Sequence, residues 1–199
     1  MTASSIIANL RRSWRFLCGD TRGAQIAEFA VALPLLMVLT IGIFDFGNAF
    51  NLKQKLTNAA REAARLGSSE TTADLTTASP ASVLAVRDLV SNYLQNAKIN
   101  DCGVGTSAAT PVGGTSPWAW SFTATCPNGG TLTLTVDRGN IFTSSVTTGG
   151  TSVKVISTNV TISYPYSWQF NRVIGILVSG ATYPGATNIV VNSTMENQT

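Results

Sequence analysis

Between Glu28 and Asp45 the chain carries 16 consecutive residues without a charge, Phe29 to Phe44, FAVALPLLMVLTIGIF. Coiled as a helix, this run is about 24 Å long at 1.5 Å per residue, against a bilayer hydrocarbon core of about 30 Å. Ile26 and Ala27 lengthen it at one end and residues 46–50 at the other. The pattern predicts a membrane-spanning segment over about residues 26–48, with Glu28 and Asp45 at or near its boundaries. A carboxylate inside a membrane is costly and usually has a role.

What flanks the run gives it a direction. Arg11, Arg12, Arg15 and Arg22 precede it, with Asp20 the one acidic residue among them. A basic stretch directly before an apolar segment reads as a cytoplasmic flank under the positive-inside rule rather than as a nucleic-acid contact. A cleaved secretory signal is the competing reading, but the sequence that follows, FDFGNAFNLKQ, lacks an A-x-A cleavage site. Helical patterning also continues: Ala49, Leu52, Leu56, Ala59, Ala63 and Leu66 step by three and four, a stripe suited to packing on another element. One helix over about residues 24–66 is expected, with Pro34 as a point where it bends and Gly67 with Ser68 and Ser69 as its stop.

Composition narrows the function. The chain has no histidine, and only 12% of its residues are charged. That removes imidazole acid–base chemistry, Ser-His and Cys-His pairs and most zinc sites. The carboxylates beyond the span are Glu62, Glu70, Asp74, Asp88, Asp101, Asp137 and Glu196, and no two have the spacing of a catalytic pair. No phosphate loop, metal cluster or nucleic-acid module appears. The expectation is a non-enzyme with no cofactor, no metal, no nucleic acid and no small-molecule substrate.

The remainder reads as an α+β domain over residues 67–199. A second helix is predicted from Pro80 to about Ala97, capped by Ser79, with Val83, Val86, Val90, Tyr93 and Ala97 along one face. It returns antiparallel to the first helix. Strands follow. Trp118, Trp120, Phe122, Ala124 and Cys126 alternate with mostly polar residues, as do Leu132, Leu134 and Val136, and Pro127-Asn128-Gly129-Gly130 between them reads as a hairpin turn. A longer strand over about 153–164 shifts parity between Val155 and Ile156, which suggests a bulge. A last strand lies near 187–195. The stretch 167–179, SWQFNRVIGILVS, is too short to span a bilayer and is left open between a core cover and a membrane or partner contact. Together these elements predict a long N-terminal helix, membrane-spanning in its first half, packed with a second helix on a mainly antiparallel sheet.

The segment Arg22-Gly23-Ala24-Gln25-Ile26-Ala27-Glu28-Phe29, the apolar run with its proline, and FDFGNAFNLKQKLTNAAREAAR after it resemble the TadE/TadG-like minor pilins, or pseudopilins, of the tight-adherence (Flp-type) pilus system. The likeness is close over about residues 15–66 and looser at Val160 to Tyr166 and Met195-Glu196. It implies cutting by a prepilin peptidase between Gly23 and Ala24, so that residues 1–23 are a basic cytoplasmic leader and Glu28 becomes the fifth residue of the mature chain. Glu28 would then face the new α-amino group of a neighbouring subunit and set helix register. The resemblance also implies other pilin subunits and pilus assembly proteins as partners. It implies a single-pass place in a bacterial inner membrane with the C-terminal domain periplasmic, and the cell surface for a subunit that enters a filament. Asp45 stands between two roles, subunit packing and membrane boundary. A membrane-anchored binding or scaffold protein that never enters a filament is the alternative reading.

In an oxidising periplasm Cys102 and Cys126 are a candidate disulfide, contributing on the order of 3 kcal/mol; the alternative is two buried thiols. Cys18, before the cut, is read as an incidental thiol lost on processing.

Overall fold

The computed structural model describes residues 21–113, 116–127, 129–148, 151–168 and 186–198. The expectations for Arg11, Arg12, Arg15 and Cys18, and for the part of 167–179 beyond Trp168, lie outside them. Two helices and five strands follow in order: α1 (Thr21–Ser69), α2 (Ala81–Asn96), β1 (Thr110–Pro111), β2 (Ala119–Thr125), β3 (Thr131–Thr148), β4 (Thr151–Ser167) and β5 (Ala186–Glu196). The fold is α+β.

The 49 residues of α1 form one helix about 74 Å long. Pro34 lies inside it without ending it. Thr40 and Thr57 donate their hydroxyls to the carbonyls of Leu36 and Lys53, each at 2.8 Å, so neither leaves a polar group bare. The second half of α1 is core: Leu56, Ala59, Ala60, Ala63 and Ala64 are fully buried against Val83, Val86, Val90 and Leu94 of α2 and against the sheet. Small side chains on this face let the backbones approach closely.

The helix ends at Ser69, within the expected Gly67-Ser68-Ser69 stop, but Gly67 is not what ends it. It lies within α1, and a Cβ there would stand 2.8 Å from the Thr158 methyl and 3.3 Å from Val86. It is a contact glycine, where the helix touches both α2 and β4.

The cap of α2 also differs from expectation. Pro80 is itself the N-cap, with φ −63° and ψ 134°, and offers no side-chain bond. Asp74 supplies the cap from the preceding loop, accepting from the Ser82 backbone N–H at 2.8 Å and the Ser82 hydroxyl at 2.9 Å. A carboxylate there complements the helix dipole, which an exposed Ser79 hydroxyl does not. At the other end, Lys55 of α1 donates to the Ala97 carbonyl at 3.3 Å. The buried face of α2 turns on Leu94, while Tyr93 is half-buried.

All five strands pair antiparallel in sequence order. The register puts Phe122, Leu134, Ile162 and Val191 in one row across four strands, and Trp120, Val136 and Val160 in the next. Both rows are buried beneath the helices. The reverse face carries Ser121, Thr135, Thr161 and Asn192 in register. The Thr-rich composition therefore falls on the outer face of a sheet that, among the described residues, is covered on one side. Trp118 falls just before β2 and is 37% exposed.

The expected bulge exists, but its extra residue is on β3. Pairing steps from Asp137↔Asn159 to Asn140↔Ser157, three positions on β3 against two on β4. β4 runs against β5 without interruption from Ser157↔Glu196 to Ser167↔Ala186. Gly139 sits in the bulge because Ser116 and Trp118 press on it; a Cβ would lie 2.9 Å from the Trp118 ring.

Cys102 and Cys126 are bonded, tying the loop after α2 to the end of β2.

Gly67→Ala is expected to destabilise the detergent-solubilised chain by about 1–2 kcal/mol, overpacking outweighing the gain in helix propensity. Thr158 cannot yield freely, since it is buried and its hydroxyl donates to Asn197 at 2.7 Å. Gly47→Ala in the same helix meets no atom within 4 Å. It should leave the melting temperature unchanged or raise it, and thermal denaturation of the two variants checks the contrast.

Candidate functional site: the apolar helix and its seat

Among the described residues, most of the first half of α1 is left uncovered. Ile26, Phe29, Val31, Leu35, Leu36, Met37, Leu39, Ile43 and Phe44 are each half or more exposed, Val31 at 79% and Phe44 at 70%. Left in water, each large apolar side chain forgoes about 1.5–3 kcal/mol of burial, together on the order of 20 kcal/mol. That exceeds the 5–15 kcal/mol by which domains are typically stable. The segment is long and apolar enough to cross a membrane, and none of it is buried within the fold. A core helix of a soluble protein has the same composition but not this exposure.

The charged residues singled out from the sequence sit at its ends. Gly23 and Ala24 lie within α1, with open space around Gly23. Glu28 is exposed one turn further on, and no group among the described residues pairs with it. Asp45 lies 17 positions later, about 26 Å along the axis.

Asp45 is only 2% exposed. The Tyr166 hydroxyl, at the end of β4, donates to its Oδ1 at 2.8 Å and lies 3.1 Å from its backbone oxygen. Trp168 sets its ring edge-on against both Phe46, at 5.3 Å, and Tyr166, at 5.0 Å. Its indole N–H donates to Thr187 of β5 at 2.9 Å. The ends of β4 and β5 thus grip α1 at the residue where its bare apolar surface stops. Burial, reinforced by the hydrogen bond to Asp45 and by that carboxylate's charge, pushes the Tyr166 phenol up to about 12.

A second lock holds the other end of the helix. Arg138, fully buried on β3, donates to the carbonyls of Thr71 at 2.7 Å and Glu70 at 2.6 Å, just past the C-terminus of α1. A cation there complements the helix dipole. Burial pulls the Arg138 pKa down while Asp74 and Glu70 push it back up. Asn197 donates to the Arg138 carbonyl at 3.2 Å, and the Gln198 N–H donates to Ser68 at 3.0 Å, so the chain after β5 closes over the same point.

Sequence reasoning had not assigned roles to Tyr166, Trp168 and Arg138. Each acts on a partner some 70 to 120 positions away, and only an arginine within an alternating strand was a signal.

Residues 23–65 are TadE-like: they match the family model described as TadE-like protein. The match begins at Gly23 and ends at Arg65, and so takes in both the exposed half of α1 and most of its buried half. The match is consistent with a protein associated with the tight-adherence pilus system. α2 and the sheet lie outside the matched residues, as does the looser likeness at Val160 to Tyr166. No curated protein and no solved structure matches the chain.

A phenol near 12 in the fold and about 10 when unfolded binds its proton more tightly in the folded state. That difference stabilises the fold fully below about pH 10 and is lost as the pH rises through about 12. Tyr166→Phe should melt with a shallower decline than the wild type over that range. Its phenolate absorbance titration should lack one group titrating near pH 12.

Proposed function

We propose that the chain is a minor pilin-like protein in the assembly or initiation of a tight-adherence (Flp-type) pilus, structural rather than catalytic. One observation carries the reading: a single TadE-like helix is bare and apolar for its first half and the core of the folded domain for its second. Such a rod transmits position from bilayer to domain without a joint, as a subunit packed through its N-terminal helix requires. The partners are other pilin subunits, pilus assembly proteins, the prepilin peptidase and the inner membrane.

The leader arginines favour a cytoplasmic N-terminus and a periplasmic domain. Gly23 has no side chain and open space around it, which suits a peptidase acting between Gly23 and Ala24. Cutting there creates an α-amino group beside an apolar helix. Glu28 of a neighbouring subunit is the counter-charge, and the pair sets axial register between helices. Unpaired, a carboxylate within the span costs about 2.5–3.5 kcal/mol on insertion scales, so pairing supplies a driving force for assembly.

Intact mass spectrometry of the membrane-extracted protein is expected to show loss of residues 1–23 only in cells that contain a prepilin peptidase. A full-length mass in such cells would favour a static membrane scaffold. Glu28→Ala should leave the protein in the membrane fraction and abolish its co-purification with pilin subunits; unchanged co-purification would remove the charge role.

A further inference from the structure

The apolar surface of α1 does not stop evenly at Asp45. Leu39, Ile43, Phe46 and Phe50 step by four, three and four, and so lie on one stripe. They are 59%, 64%, 66% and 65% exposed. Lys53 continues the stripe one turn further and is exposed. At the height of Phe50 the other open side of the helix carries Asn48 and Asn51, both exposed. The face bearing Leu52 and Leu56 packs on the domain. Beside Phe46, at the base of the sheet, stands Trp168.

We infer that the domain rests on the phospholipid headgroups along this one side of α1, so that the helix leaves the bilayer leaning toward its Phe46–Phe50 face. The inference rests on the membrane-spanning reading of α1. Phe50 lies five residues past Asp45, about 7.5 Å along the axis. The interfacial layer is about 5–7 Å deep on each side of the hydrocarbon, so an upright helix would leave the Phe50 ring at its outer edge. A tilt of about 20° across a helix about 10–12 Å wide lowers the leaning face by about 4 Å relative to the other. That puts Phe46 and Phe50 among the headgroups and lifts Asn51 into water. Aromatic rings collect at this depth. Lys53, one turn higher, lays its stem along the apolar surface and reaches lipid phosphate with its ammonium. Lipid is the occupant because the stripe is continuous with the segment that lipid already surrounds and ends in a cation.

The test uses the full chain with Cys18→Ser, reconstituted into phosphatidylethanolamine–phosphatidylglycerol vesicles. Spin labels are placed singly through Leu36→Cys, Phe50→Cys or Asn51→Cys, all at exposed positions that leave the core untouched. Collision with oxygen reports lipid, and collision with a water-soluble nickel chelate reports water. Labels at 36 and 50 should favour oxygen, and the label at 51 should collide with nickel several-fold more often than the one at 50. Equal nickel access at 50 and 51, with 36 still in lipid, overturns the lean and leaves the span intact. Both 50 and 51 in lipid overturns its one-sidedness. A label at 50 shielded from both reagents means that protein covers the stripe, which overturns the lipid assignment. Nickel access at 36 overturns the span itself, and the lean with it.

Discussion

Everything in this molecule depends on the close packing of the second half of α1 against α2 and the sheet. Leu56, Ala59, Ala60, Ala63 and Gly67 are buried there. The first half of the same helix is mostly exposed apolar surface among the described residues. One rod thus has two characters: an exposed apolar length fit to cross a membrane, and a length buried in the domain. Neither half is an appendage: the first is long and apolar enough to cross a membrane, and without the second the sheet loses the element that covers its apolar face.

The transition between the two environments is built rather than left to chance. Asp45 is the first carboxylate after the apolar run, and it is met at once by the Tyr166 hydroxyl and flanked by Phe46 and Trp168. The helix end is secured separately by Arg138 on the carbonyls of Glu70 and Thr71. With a lock at each end of its buried half, α1 cannot slide or swing relative to the domain without breaking charge-assisted hydrogen bonds, each worth about 1.5–3 kcal/mol. For a subunit held through its N-terminal helix, that stiffness lets the membrane or a neighbouring helix set the position of the whole domain.

Much of this was legible in the residues. The charge-free run, the three-and-four stepping from Ala49 to Leu66 and the alternation in β2 and β3 each express a local period, and local periods are visible in a sequence. The Cys102–Cys126 bridge followed from an oxidising compartment and a pair of suitably placed cysteines. The misses share a physical cause. Gly67 reads as a helix stop because that is the commonest use of glycine near a helix end, but here it gives room to Thr158, some 90 positions away. Ser79 stands at the usual cap position, yet Asp74 folds back from the loop to take the role. The parity break was felt on β4, while the extra residue is on β3, where Gly139 gives way to Trp118. Tyr166 and Arg138 find partners only once the sheet has formed. Tertiary contacts decided each of these, and no local pattern encodes them.

Hydrogen exchange, read by mass spectrometry on the full chain in lipid nanodiscs, tests the single-rod claim most directly. Amides from residue 26 to 69 should be protected without a gap, the first half by lipid and the second by the core. A fast-exchanging break at residues 45–55 would mean that anchor and domain are separate bodies on a flexible joint, and would contradict it.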